Sequence, residues 1–211
     1  MPTTPKKTAG TEPILAFEDA AAFEAWLAEH HASSGAVFLR LAKAGAAPSI
    51  TYAEALDVAL CWGWIDSQKR SLDATAFLQR FGRRTRSSPW SKINQGKVRE
   101  LIASRRIREP GLAEVARAKA DGRWERAYDG ARTATVPPDL AATLAKNRAA
   151  RTHFEGLDSA NRYAILFRVQ TAKKPETRAD RIVALVAMCA RGESLHPPSP
   201  RALRRAARPH R

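Results

Sequence analysis

The spacing of apolar residues changes character along this chain, and that change restricts the fold more than any other feature. Before residue 82, stretches of strict alternation are interleaved with stretches of helical spacing; from Pro138 onward only helical spacing occurs. In Ala36–Leu41 the residues Val37, Leu39 and Leu41 alternate with Phe38 and Arg40, the period-two signature of a strand. Trp64–Arg70 and Thr75–Phe81 read as two more strands, with Leu72-Asp73-Ala74 as the turn between them, and Pro13–Phe17 reads as a short one. Asp19–His31 places Phe23, Trp26 and Leu27 on one helical face, and Ser33-Ser34-Gly35 ends it. Thr51 and Glu54 form a capping box that opens a helix through Leu56, Leu60 and Cys61, and Gly63 stops it. A helix from Ser91 to about Arg105 turns Val98, Leu101 and Ile102 inward, and another spans about Leu112 to Asp121.

The segment from Trp124 to Pro138 is irregular. Beyond it, Leu140, Leu144 and Phe154 mark one or two short helices. Ser159 caps a helix carrying Tyr163, Leu166, Phe167 and Gln170, and Pro175 opens a last helix that buries Ile182, Leu185, Val186 and Cys189. The expected fold is therefore α+β: a small antiparallel sheet packed by helices, followed by an all-helical C-terminal module, with no internal repeat. The expected organisation is a disordered leader over 1–11, an α+β domain over 12–135, the helical module over 136–193 and a disordered basic tail over 194–211.

Two cysteines in 211 residues do not make a disulfide scaffold, and both Cys61 and Cys189 lie in apolar surroundings, as buried free thiols would. The first ten residues lack the apolar run of a secretion signal, and the longest apolar stretch, Ile182–Ala190, is too short to cross a bilayer. These features imply a cytoplasmic chain; they leave its oligomeric state open. The net charge of +15 favours anionic partners, nucleic acid or phosphate-bearing small molecules among them. A chain this rich in Ala and Arg also fits a GC-rich genome, in which arginine accumulates without functional meaning.

Three features invite a functional reading. The run Cys61-Trp62-Gly63-Trp64-Ile65-Asp66 puts Trp64 and Asp66 in phase on one strand, as an aromatic wall beside a carboxylate. The plain alternative is that both indoles are core and Asp66 caps a turn. The stretch Arg80–Arg108 holds ten cations (Arg80, Arg83, Arg84, Arg86, Lys92, Lys97, Arg99, Arg105, Arg106 and Arg108) against the single acid Glu100. With Trp90, Ser91 and Asn94 inside it, it has the composition of a phosphate or single-strand site. Its plain alternative is a solvated basic surface. Lys173, Lys174 and Arg178, around the start of the last helix, form a second candidate anion site or an ordinary helix boundary with surface ion pairs.

Signatures of established catalytic classes are missing from this list: there is no glycine-rich phosphate loop after a strand, no Cys-x-x-Cys, no His-x-x-x-His and no Gly-x-Ser-x-Gly. No catalytic residue, metal ligand set or cofactor is assigned.

The runs Thr51-Tyr-Ala-Glu-Ala-Leu-Asp57, Cys61–Asp66, Phe77-Leu-Gln-Arg-Phe81 and Trp90-Ser-Lys-Ile-Asn94, followed by Leu157-Asp-Ser-Ala-Asn-Arg-Tyr163 and Ala172-Lys-Lys-Pro-Glu-Thr-Arg178, resemble the YdeI/OmpD-associated family of bacteria. The resemblance extends over roughly residues 12 to 195 and implies bacteriocin protection or an envelope-stress role, without established catalytic residues to carry over. Phe81-Gly82-Arg83-Arg84 stands where many relatives have Phe-Thr-Pro-Arg, so the family's loop shape is not carried over to this chain, while its arginines remain.

Three hypotheses follow. The first is a non-enzymatic stress-protection protein that binds an anionic small molecule or partner through Trp64, Asp66, Arg80, Arg83, Arg84, Trp90, Ser91, Lys92 and Asn94. The second is nucleic-acid binding through Arg80–Arg108 and the tail. The third is an enzyme with Asp66 or Glu54 as a carboxylate base.

Overall fold

The computed structural model describes residues 12–197. Two compact units divide them: residues up to Ser88 with Asn94–Glu125, and Pro89–Ile93 with the residues from Arg126 on. The expected leader, 1–11, and residues 198–211 of the expected tail lie outside the described residues.

The first unit carries β1 (Ile14–Leu15), α1 (Ala20–His30), β2 (Val37–Ala42), α2 (Tyr52–Cys61), β3 (Trp64–Ser71), β4 (Ala76–Arg83), most of α3 (Lys92–Ala103) and α4 (Glu109–Ala120). The strand order is β1-β2-β4-β3. The fold class is the expected α+β, but the sheet is mixed, because β1 runs parallel to β2. The chain between them passes through α1, and a helical crossover returns the next strand in the same direction. β2, β4 and β3 are antiparallel neighbours. Asp73 shapes the β3–β4 turn by accepting from the amides of Thr75 and Ala76.

Asp19 caps α1, and Thr51 and Glu54 form the full capping box on α2. α2 ends at Gly63, whose φ of 72° is left-handed, and a Cβ there would lie 2.8 Å from the Pro110 carbonyl oxygen. Gly111 approaches more closely: a Cβ would stand 2.3 Å from the Cys61 carbonyl oxygen. α4 starts at Glu109 rather than Leu112, because Pro110 is tolerated in a first turn and Gly111 is a close-packing glycine, not a breaker. α3 buries Gln95, Val98 and Leu101, a stripe that leaves the expected inward residue Ile102 exposed. Its end is a Schellman pair, the Arg106 amide to Leu101 and the Arg105 amide to Ile102, with Arg105 at φ 57° where glycine is usual.

The core of the unit lies on the face of the sheet shared by Val37, Leu39, Leu41, Phe81 and Trp64. Helix α1 adds Phe23, 6.0 Å from the Phe81 ring, and Trp26, edge-on to Trp64 at 6.0 Å.

In the second unit the backbone of Ser91 bridges that of Tyr128, and Lys92 pairs with Asp129 at 2.8 Å. Helices α5 (Pro138–Ala145), α6 (Arg148–Gly156), α7 (Ser159–Gln170) and α8 (Pro175–Ala190) follow. They close on Leu140, Leu144, Phe154, Ile165, Leu166, Val169, Ile182, Leu185, Val186 and Cys189. Asp158, not Ser159, caps α7; its carboxylate accepts from the Asn161 amide, and Ser159 is the first helical residue. Leu195 packs against this core, and the His196 amide donates to Asn161 Oδ1 at 2.8 Å.

Candidate functional site

The ten cations between residues 80 and 108 differ widely in what holds them. Carboxylates hold four: Arg80 by Glu12, Lys92 by Asp129, Lys97 by Asp57 and Arg108 by Glu24. Arg84 is buried, and the guanidinium of Arg99 stands 6.0 Å from the Trp124 ring. Arg83, exposed, donates to the Ala32 carbonyl at 2.9 Å. Arg86, Arg105 and Arg106 are exposed, with no ion pair among the described residues. The uniform basic block of the sequence is therefore a few free cations set among neutralised ones.

The loop Thr85–Ser88 rests on a buried ionic network. Glu114 is 4% exposed and Arg123 5%. Their ion pair is 2.8 Å long, and Glu114 also accepts from Arg117. Arg123 Nη1 then donates to the carbonyls of Thr85 and Ser88, at 3.2 Å each, and Arg117 donates to that of Arg84. Asp121 accepts from Arg123 Nε at 2.8 Å. Charges this deep persist only when paired. The result is a rigid floor beneath a loop that presents Arg83, Thr85, Arg86 and Ser87 to solvent. Thr85 Oγ1 and Ser87 Oγ lie 2.8 Å apart, so the hydroxyls converge.

The remaining residues singled out in the sequence belong to both units. Trp64 is fully buried, its indole N–H donating to His31 at 3.2 Å. Asp66 accepts from the Tyr52 hydroxyl at 2.9 Å. Trp90 and Ser91 are buried and Lys92 is exposed; these three belong to the second unit, whereas Trp64, Asp66, Arg80, Arg83, Arg84 and Asn94 belong to the first. At the other candidate anion site, Arg178 makes a two-pronged pair with Asp139, at 2.6 and 2.9 Å, and donates to Val169. That pair holds the Asp139 carboxyl below its ordinary value. Lys173 and Lys174 are exposed.

Two groups bear on chemistry. Burial pushes the Cys61 thiol up to about 11, so it is not a thiolate near neutrality. In the second unit an open groove of about 740 Å³ is lined by Arg148, Thr152, His153, Cys189 and Gly192. His153 Nε2 lies 3.0 Å from the Glu193 carbonyl and 3.4 Å from Ser194 Oγ. A carbonyl only accepts, so Nε2 carries the proton in that bond and cannot take one from Ser194.

Sequence reading missed the second face of the sheet. Register places Arg40, Leu78 and Arg70 in one row across β2, β4 and β3, with Phe38 and Arg80 two residues along on the same face. Phe38 is 5% exposed and Leu78 7%, and the Arg70 guanidinium lies 4.6 Å from the Phe38 ring centre. The alternation around Arg40 was visible in the sequence, but its partner on β3 follows only from the register. Glu114 was missed too; its signal was its place three residues from Gly111 and four from Ala118, in the buried stripe of α4.

Residues 133–192 match the family described as Bacteriocin-protection, YdeI or OmpD-Associated. Residues 15–114 match a different family, a domain of unknown function (DUF8412), so the resemblance expected over roughly residues 12 to 195 holds for its C-terminal part. No curated protein and no solved structure matches the chain.

Proposed function

We propose that this chain is a non-enzymatic bacterial stress-protection protein of the YdeI/OmpD-associated type, acting by binding an anionic small molecule or partner. The observation that carries the reading is the Arg83–Ser88 loop. Its exposed guanidinium groups, Arg83 and Arg86, face solvent without a carboxylate among the described residues, beside the Thr85 and Ser87 hydroxyls. Guanidinium forks and hydroxyls are the donors that carboxylates and phosphates require. Because Arg123 pins the loop from beneath, little ordering remains to be done on binding. The match of residues 133–192 supports the protection role.

A binding role also fits the state of the reactive groups better than a catalytic one: the Cys61 thiol is protonated near neutrality, and Asp66 is engaged by Tyr52. The test is survival. Producing the chain in a bacteriocin-sensitive strain is expected to raise survival, and the Arg83→Ala/Arg86→Ala double variant to lose that gain while keeping its thermal midpoint. Full protection by the double variant removes the loop from the function.

A further inference from the structure

Three arginines share the second face of the sheet. Cross-strand neighbours are about 5 Å apart, so Arg40 and Arg70, on either side of Leu78, have Cα atoms roughly 10 Å apart, within reach of one small ligand. Arg80 lies two residues from Leu78 along β4, about 7 Å away. Arg40 has no ion pair or hydrogen bond among the described residues, though the Asp73 carboxylate feels its charge at longer range. Arg70 has the Gln68 side-chain oxygen at 2.8 Å and the Phe38 ring; no carboxylate pairs with it directly, and the Glu12 carboxylate feels its charge from farther off. Arg80 is held differently: its Nε and Nη2 grip the two oxygens of Glu12, at 2.6 and 2.5 Å. That pair holds the Glu12 carboxyl below its ordinary value, through the hydrogen bond to Arg80 first. The chain thus already places one anion on this face, in the two-pronged geometry that a guanidinium offers a carboxylate or phosphate.

We propose that this face is a binding site for a compact phosphate-bearing small molecule of the diphosphate class. Arg40 and Arg70 hold its two phosphoryl groups, and Glu12 competes for the third cation, Arg80. Charge complementarity selects the occupant. Neither Arg40 nor Arg70 is in an ion pair among the described residues, and Asp73 and Glu12 act on them only at longer range, so two guanidinium forks are left for a multiply charged anion that has an acceptor for each. Single-stranded nucleic acid is disfavoured because it needs open ring faces for its bases. Here the Phe38 ring is covered by Arg70, and on the opposite face the Phe77 ring has Lys69 Nζ at 4.1 Å. A soluble ligand is favoured over a membrane headgroup because Phe38 and Leu78 form a buried floor beneath the cations, not an apolar surface for insertion.

The site is separate from the Arg83–Ser88 loop, and its variants test it apart from that loop. Calorimetric titration of the full chain with inorganic pyrophosphate at low salt is expected to show saturable binding, tighter than for orthophosphate. Arg40→Gln/Arg70→Gln is expected to weaken it at least tenfold. Arg70→Lys, which keeps charge and stem but loses the fork, is expected to weaken it several-fold. Glu12→Gln frees Arg80 and is expected to tighten it, while Arg83→Ala/Arg86→Ala leaves it unchanged. Circular dichroism and the thermal midpoint confirm that each variant is folded. The proposal is overturned if the wild-type chain fails to bind pyrophosphate at millimolar concentration. Binding that survives in the folded Arg40→Gln/Arg70→Gln variant overturns it equally, as does binding to phosphatidylglycerol vesicles without binding to pyrophosphate.

Discussion

Gly111 and Glu114 sit one turn apart on α4 and carry two different constraints. At Gly111 the obstacle is backbone: the Cys61 carbonyl oxygen would lie 2.3 Å from an added Cβ and cannot rotate away. Gly111→Ala is therefore expected to destabilise the first unit by about 1–3 kcal/mol, the usual cost of overpacking. A urea midpoint unchanged from wild type would mean that α4 shifts freely against α2. At Glu114 the constraint is charge. Glu114→Gln leaves the buried Arg123 guanidinium with Asp121 as its remaining carboxylate partner in the network. The expected loss is about 1–3 kcal/mol by equilibrium unfolding, below the cost of an unpaired buried charge because Asp121 still pairs with Arg123. Neither role follows from residue type: a glycine after a proline reads as a breaker, and a glutamate in a helix reads as surface.

Among the elements, helices and caps were legible because their signals are local. Thr51 and Glu54 capped α2 as their spacing predicts, and the last helix buried Ile182, Leu185, Val186 and Cys189 as its period predicts. Asp158 was overlooked as a cap because Ser159 beside it is an equally good one on composition. Helices α5 and α8 also exchange an ion pair, Asp139 with Arg178, that makes the second unit sensitive to acid. The folded Asp139 carboxyl titrates below its ordinary value, chiefly through the hydrogen bond from Arg178. A depressed folded value stabilises above the unfolded pKa, near 3.8, and that contribution is lost as the pH falls through the folded one. Asp139→Asn is thus expected to lower the thermal midpoint at pH 6 and to flatten its decline below about pH 4. An unchanged acid limb would show that the pair does not differ between folded and unfolded chains.

For the whole molecule, the net charge of +15 overstates what a polyanion can meet. Within residues 80–108, Arg83, Arg86, Arg99, Arg105 and Arg106 are exposed and held by no carboxylate among the described residues. If those five alone met phosphates, the log–log dependence of random-DNA affinity on salt would have a slope no steeper than about −4.5. The measurement belongs on a version ending at Pro197, which keeps Leu195 on the helical core and His196 bonded to Asn161. A steeper slope would mean that the carboxylate-held cations exchange their partners for DNA.

The sequence by itself determined the α+β class, nearly every helix and strand, the turn at Asp73 and the free, buried cysteines, because periodicity and capping act within a few residues. Tertiary structure decided the parallel placing of β1, the burial of Arg84, Glu114 and Arg123, and the joining of Arg40 to Arg70. It also decided which cations are neutralised: Arg80 meets Glu12 across 68 positions, Lys97 meets Asp57 across 40 and Arg108 meets Glu24 across 84. Such pairings depend on which strands and helices become neighbours, and no local pattern in the chain encodes that.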